Sequence, residues 1–389
     1  MSKKCISRVG LVLAAATAFA GSAPAQETVK IGMIMPLSGN LAAAGKQVLA
    51  GARLYMAEHG NMVAGRRIEL IVKDETSSFE VGKRLIQEAI TNEKVAVIGG
   101  GLTGDLMAGA PVITEAKVPT VIMLSSTSAV VDKSPYYVRT SCTLTQSSRI
   151  VADWAIKNGI TKVVTLVSDF APGQESENSF KSRYLAGGGT IAEYIRVPLQ
   201  NPDFAPFLQR ARDAAPQAIF AFIPSAQANT FVKQFVERGL DKAGIQLIGP
   251  GDIADDELLA NSGDTMLGTV TAHFYSAAHP SPVNKAFVAA YQKQNGTRAN
   301  FMAVSGYDGI HLIYEALKKT NGSTDGKTLV SAMKGMAWES PRGPMSIDAD
   351  TGDVIHNIYI RKVEKVRGEP SNVEFATFEA VKDFRTAQR

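Results

Sequence analysis

Short apolar runs rich in β-branched residues recur along the chain, at 29–35, 68–73, 95–98, 120–124, 163–167, 218–223 and 245–248. Their apolar positions are consecutive rather than alternating, the pattern of strands buried on both faces of a parallel sheet. Between them lie helical spacings, such as Val48, Ala52, Tyr55, Met56 and His59, or Phe231, Val232, Phe235 and Val236 closed by Gly239. These predict amphipathic helices, the second ended by a glycine stop. The alternation of strand and helix occurs twice, over 29–124 and again over 163–248, and so predicts an α/β chain with two doubly wound parallel sheets.

The segments joining the two halves predict a hinge. A strand at 136–140 leads into Ser141, Cys142 and Thr143, where the second set of elements begins. A strand at 270–275 is followed by His279-Pro280-Ser281-Pro282, which breaks regularity before a helix at 283–294. Last, Pro341-Arg342-Gly343-Pro344-Met345 leads through Asp348, Asp350 and Gly352 into a strand at 354–363. Three crossings divide the chain into lobe 1, residues 26–142 and 276–345, and lobe 2, residues 143–275 and 346–389. Ligands of open α/β sheets sit at the carboxyl ends of the strands, here between two lobes able to close by hinge motion.

The N-terminus changes what the composition means. Lys3, Lys4 and Arg8 precede an apolar run over 9–20, and Ala23, Pro24 and Ala25 supply small residues for cleavage, the pattern of a signal peptide spanning 1–25. The run falls well short of the roughly 20 apolar residues of a membrane span. Export to the periplasm with cleavage near Ala25/Gln26 is therefore expected, with no membrane insertion afterwards. Losing three basic side chains from a formal charge of +4 leaves +1, so the mature chain is nearly neutral and carries no basic footprint for nucleic acid. Of two cysteines only Cys142 survives processing, which excludes an intrachain disulfide; it reads as a small buried hydrophobe.

Candidate chemistry gathers at the strand ends. The third strand ends in Gly99–Gly104, the fourth in Ser125-Ser126-Thr127-Ser128, and later ones in Ser168–Gly173, Pro224-Ser225-Ala226 and Gly249-Pro250-Gly251-Asp252. Small residues let the backbone approach a ligand, while helix N-termini offer unpaired N–H groups that suit a carboxylate. The hydroxyls of Thr103, Ser125, Ser126 and Thr127 add donors or serve as helix caps.

In order along the chain, Val29-Lys30-Ile31-Gly32, Pro36-Leu37-Ser38-Gly39, Gly51-Ala52, Asp74-Glu75, Val97-Ile98-Gly99, Val118-Pro119, Arg139-Thr140, Asp203-Phe204 and Gly239-Leu240 resemble the leucine/isoleucine/valine-binding family of periplasmic receptors. The resemblance covers essentially the whole mature chain. It implies the type I periplasmic binding fold, a non-enzymatic receptor without cofactor, and the permease subunits of an ABC importer as partners. It also implies that lobe 1 holds a ligand carboxylate, at Thr103, Ser126 and Thr127, and that apolar side chains line the pocket near Leu41–Ala44, Phe301 and Met302, with Tyr307 close by.

Departures from that family bear on the ligand. Its amino-acid receptors place tyrosines in two lobe 2 loops and an acid after a Gly-Pro pair to hold the ammonium; here those places read Ala171-Pro172-Gly173, Pro224-Ser225-Ala226 and Gly251-Asp252. An ammonium buried without an aligned carboxylate is costly. The loops containing Phe170, Pro172, Pro224 and Ser225 resemble the subgroup that binds aromatic carboxylates, which makes Phe170, Tyr275 and Phe301 candidate ring neighbours. A branched-chain amino acid remains the alternative ligand, and a sensory receptor the alternative role.

The rival class is an enzyme, since Gly99–Gly104 spells G-x-G-x-x-G between a strand and a helix. The run follows the third strand, not the first, and the next strand ends in serines with no acid for a ribose. The five histidines, His59, His273, His279, His311 and His356, show no metal spacing, and no G-x-S-x-G elbow is present.

Overall fold

The computed structural model describes residues 27–200 and 202–385. The expected signal peptide and its cleavage point lie outside the described residues.

The first sheet contains β1 (Thr28–Met35), β2 (Met62–Val63), β3 (Arg66–Asp74), β4 (Val97–Gly100), β5 (Thr120–Ile122) and β6 (Tyr137–Arg139), in the order β2-β3-β1-β4-β5-β6. All its pairings are parallel except the β2–β3 hairpin. Alternate residues of β1 enter two different cores, Val29, Ile31 and Met33 on one face and Ile34 on the other. Consecutive apolar positions are the consequence of a sheet covered on both sides.

The second sheet is built from β7 (Lys162–Ser168), β8 (Thr190–Val197), β9 (Ala218–Phe222), β10 (Gln246–Pro250), β11 (Val270–His273), β12 (Ala337–Ser340), β13 (Gly343–Ile347), β14 (Val354–Val366) and β15 (Glu369–Val381). Its order is β12-β13-β14-β11-β10-β9-β7-β8, with β15 also paired to β14. Strands β7 to β11 are parallel, and β9 sends Phe220 and Phe222 to one core and Ile219 and Ala221 to the other. From β11 onward the pairing is antiparallel, so this sheet is mixed rather than wholly parallel. The β14–β15 hairpin turns through Arg367 and Gly368, both at positive φ, the geometry of a two-residue hairpin loop.

The expected lobe boundary at Met345 falls inside β13. That strand bonds to β14 of the second sheet, yet Ile347 and the neighbouring Met336 and Trp338 pack into a core of the first lobe. Trp338 also donates to Asp308 at 3.1 Å. The β12–β13 hairpin thus belongs to the second sheet by backbone and to the first lobe by side chains. Such sharing leaves no sharp boundary there.

Candidate ligand-binding site

The glycine run after β4 is explained by its backbone. Gly100 and Gly101 take φ of 99° and 81°, a region open to glycine, and a β-carbon on Gly100 would collide with the Ile34 carbonyl. Gly101 donates to Ile34 O at 2.8 Å, and Ser125 donates to Gly101 O at 3.2 Å. These bonds bring the first turn of the helix Thr103–Ala116 beside the loop that follows β5. Thr103 Oγ1 then lies 2.8 Å from Ser125 Oγ and 3.1 Å from Thr127 Oγ1.

Arg139, fully buried at the end of β6, braces that loop from behind. Its Nη1 donates to Ser125 O at 2.6 Å and its Nη2 to Thr127 O at 2.9 Å, while Nε pairs with Asp353 at 2.8 Å. Ser141 Oγ donates to the same Ser125 carbonyl at 2.7 Å. The backbone oxygens of the loop are occupied on this side.

The opposite wall comes from the second lobe. Phe170 and Pro172 follow β7, Phe222, Pro224 and Ser225 end β9, and Asp252 follows β10; Phe170 stacks on Phe222 with centroids 6.0 Å apart. Asn40, Leu41, Ala44 and Gln47 close one side, and Met302 and Leu258 another. The loop carrying Leu41 is held by Asp74, which accepts from Leu37 N at 2.8 Å and from Ser38 Oγ at 2.7 Å. The cavity measures about 140 Å³. An apolar cavity of about 150 Å³ holds benzene, so this one is the size of a single ring.

Charge is confined to one wall. Among the described residues Asp252 is the sole ionisable one lining the cavity, and burial pushes its carboxyl up to about 7 against the pull of Arg361. Behind it, Asp255 accepts from Asn300 at 2.9 Å and is likewise pushed up to about 7 by burial, helped by Asp256. Arg361 donates to Thr271 Oγ1 and to the Tyr275 carbonyl and lies 3.6 Å from Asp256. At the rim, Gln47 of the first lobe donates to Glu257 of the second, whose carboxyl is raised by burial.

Nine of the expected residues line the cavity together: Thr103, Ser125, Ser126, Phe170, Pro172, Pro224, Ser225, Asp252 and Met302. Thr127 does not, but bonds to Thr103 and begins the turn Ser128–Lys133. Gly251 is packed against His273 and Arg361, with no room for a side chain. Tyr275 is fully buried, edge-on to Phe287 at 6.5 Å, and so is no ring neighbour of this cavity. Phe301 turns into the hinge, 4.5 Å from His273, because the adjacent Met302 takes the cavity side of the helix Phe301–Lys319. Tyr307 lies farther along that helix, and its hydroxyl donates to Glu58 at 2.7 Å. Sequence reasoning missed Gln47, Leu102, Leu124, Phe222 and Leu258 as lining residues. For Leu124 the signal was available, since it ends an apolar run immediately before a loop.

Among the described residues no group of three or more His, Cys, Asp or Glu side chains is placed to hold a metal. Cys142 is buried, and burial pushes its thiol up to about 12. No helix among the described residues is long and apolar enough to cross a membrane.

The sequence pattern of periplasmic binding proteins matches residues 28–369, nearly the whole described chain. The chain belongs to the periplasmic binding protein family. A curated relative, Leu/Ile/Val-binding protein homolog 6 of Brucella melitensis, is 40% identical over 380 residues, covering 96% of this chain and 97% of its own. Among solved structures, a solute-binding protein of an ABC transporter from Rhodopseudomonas palustris BisB5, in complex with 3,4-dihydroxybenzoic acid, is 59% identical with a TM-score of 0.90, covering 92% of this chain and 99% of its own. A second R. palustris solute-binding protein, in complex with 4-hydroxybenzoate, is 39% identical with a TM-score of 0.89, covering 93% and 100%. For a periplasmic binding protein, a cavity walled by both lobes is the place where a solute is held. The dinucleotide reading of Gly99–Gly104 loses its ground, because the run serves the turn that delivers Thr103 to this cavity.

Proposed function

We propose that this periplasmic binding protein captures a single-ring aromatic carboxylate between its lobes and presents it to the permease subunits of an ABC importer, without catalysis or cofactor. The observation that carries the reading is a ring-sized cavity with hydroxyls on the first lobe and apolar faces on the second. Thr103, Ser125 and Ser126 hold the carboxylate at the N-terminus of the helix Thr103–Ala116, where free N–H groups and the helix dipole favour an anion. Phe170 and Phe222 pack against the ring. Relatives with 59% and 39% identity bind hydroxybenzoates, which supports the same class here.

Lobe 1 is residues 26–142 and 276–345 and lobe 2 the remainder of the mature chain, with the β12–β13 hairpin as a strap between them. Ligand contacts from both lobes exist together only in the closed form, so the ligand shifts the hinge equilibrium toward closure, and a permease that recognises closed lobes reads occupancy. The mature protein begins near Gln26 in the periplasm, after removal of the signal peptide.

A branched-chain amino acid is the second reading, favoured by the 40% identity to a protein named for leucine, isoleucine and valine. A thermal-shift screen of residues 26–389 against benzoates, hydroxybenzoates and leucine separates the two, since a ligand at 100 times its Kd adds about 2.7 kcal/mol. Stabilisation by leucine and by none of the aromatic acids would overturn the proposal.

A further inference from the structure

Asp252 is the one ionisable side chain lining the cavity, and among the described residues no other side chain hydrogen-bonds to it. The acids behind it are supplied: Asp255 accepts from Asn300 at 2.9 Å and Asp256 from Asn372 at 3.0 Å. Arg361, the nearby cation, is already bonded to Thr271 and to the Tyr275 carbonyl. The Asp252 carboxyl receives its own backbone N–H and no side-chain donor, so acceptor capacity is left over in a poorly hydrated site, and the cavity it lines is a direction from which a further donor can come.

We infer that Asp252 reads a ring hydroxyl of the ligand and makes this receptor selective for hydroxylated over plain benzoates, an inference that rests on the aromatic-acid reading above. The donor count decides between a hydroxyl and an ammonium. An ammonium brings three N–H donors and needs an acceptor for each, whereas a phenolic hydroxyl brings one. On the lobe 2 wall Asp252 stands among Phe170, Pro172, Phe222, Pro224 and Leu258, with Ser225 as the other polar side chain. That wall satisfies one donor well and three poorly. The hydroxyl cluster of Thr103, Ser125 and Ser126 lies on the other lobe, so a molecule with a carboxylate at one end and a hydroxyl at the other engages both lobes at once and couples recognition of the hydroxyl to closure. A site built to bond a hydroxyl discriminates against the analogue that lacks it, because its own polar group is then left unpaired.

Isothermal titration of the mature protein with 4-hydroxybenzoate, 3,4-dihydroxybenzoate, benzoate and leucine, at about pH 8 so that Asp252 is mostly ionised, tests this. The wild type is expected to bind at least one hydroxylated acid about tenfold or more tighter than benzoate. Asp252→Ala should bring that ratio to near one, and Asp252→Asn, which keeps an acceptor oxygen, should fall between. A wild-type ratio near one, or a ratio unchanged in Asp252→Ala, overturns the role of Asp252 while leaving the aromatic-acid reading intact. Binding of leucine without any benzoate overturns both, and makes Asp252 an ammonium ligand. Should Asp252→Ala not fold, the wild-type ratio and the Asn variant decide.

Discussion

Arg139 and Asp353 form a buried ion pair at 2.8 Å that ties the first crossing between the lobes to the third. The same guanidinium donates to the carbonyls of Ser125 and Thr127, so one residue fixes both the hinge and the hydroxyl loop. A lysine keeps the charge and loses the planar fork that serves three acceptors at once. Arg139→Lys is expected to lower both the melting temperature and the ligand affinity. Removing the charge, as in Arg139→Met, leaves Asp353 with Arg385 as its cationic partner among the described residues, at 3.1 Å, and should cost about 3 to 5 kcal/mol of stability in denaturant titration.

Thr103 and Thr127 share a hydrogen bond, but only Thr103 lines the cavity. Thr103→Val keeps the shape and removes the hydroxyl. It should weaken binding of an aromatic acid by about 1 to 3 kcal/mol in titration calorimetry, with a smaller change in unfolding free energy. Thr127→Ala should cost less affinity, since its hydroxyl acts through Thr103. Equal losses in the two variants would mean that Thr127 also touches the ligand.

What could be read from sequence follows the degree of burial. Parallel strands such as β9, buried at every position, announced themselves as unbroken apolar runs. Strand β8 was missed because it is an edge strand whose exposed and buried positions alternate, as in Glu193 beside Tyr194 and Ile195. Strand β15 was missed for the same reason, with Phe375 half exposed on its outer face. The hydroxyl loop was legible because small polar residues collect at a buried strand end. The choice between Phe301 and Met302 was not, since it depends on helix phase. That phase is set by Asn300, which caps the helix through Ala303 N at 3.1 Å and also donates to Asp255, a partner 45 residues away.

Buried acids whose carboxyls are pushed up make stability depend on pH. Asp105, Asp252 and Asp255 are each pushed up to about 7 by burial, so near neutrality the folded chain binds protons that the unfolded chain, with carboxyls near 3.9, does not. Stability therefore falls as pH rises through the folded values, and it is regained on acidification. The melting temperature of the unliganded protein should be higher at about pH 6.5 than at about pH 8.5, with roughly 1 kcal/mol from each of the fully buried Asp105 and Asp255. Below about 6.5 the gain should flatten, because His273 and His356, held well below the usual histidine value by burial and by neighbouring arginines, then favour the unfolded chain. Asp105→Asn, which keeps an acceptor for Leu102 N, should reduce the difference between the two pH values. An unchanged difference would mean that Asp105 is already ionised in the fold.

Hydrogen bonds also join the lobes without passing through a ligand. Gln47 donates to Glu257 beside the cavity, and Ser128 N donates to Glu175 at 2.9 Å on the far side. Both join the first lobe to the second, so both are lost when the lobes part. They stabilise the closed form in the empty and the occupied protein alike. Because affinity depends on the fraction of molecules able to close, weakening such a contact raises the apparent Kd even where no ligand contact is removed. For Gln47→Ala the expected loss is about 0.5 to 1.5 kcal/mol, the net value of one hydrogen bond, together with faster ligand release. Glu257→Gln should fall short of that, since an amide still accepts from Gln47. Gln47 also lines the cavity, so Glu175→Ala serves as the distant control: it removes the acceptor at the far contact and touches nothing the ligand reaches. Stopped-flow release rates that rise in both Gln47→Ala and Glu175→Ala, with the radius of gyration of the empty protein increasing in solution scattering, would follow from a shift toward the open form. A faster release in Gln47→Ala alone, with no change in the empty protein, would instead make Gln47 a direct ligand contact.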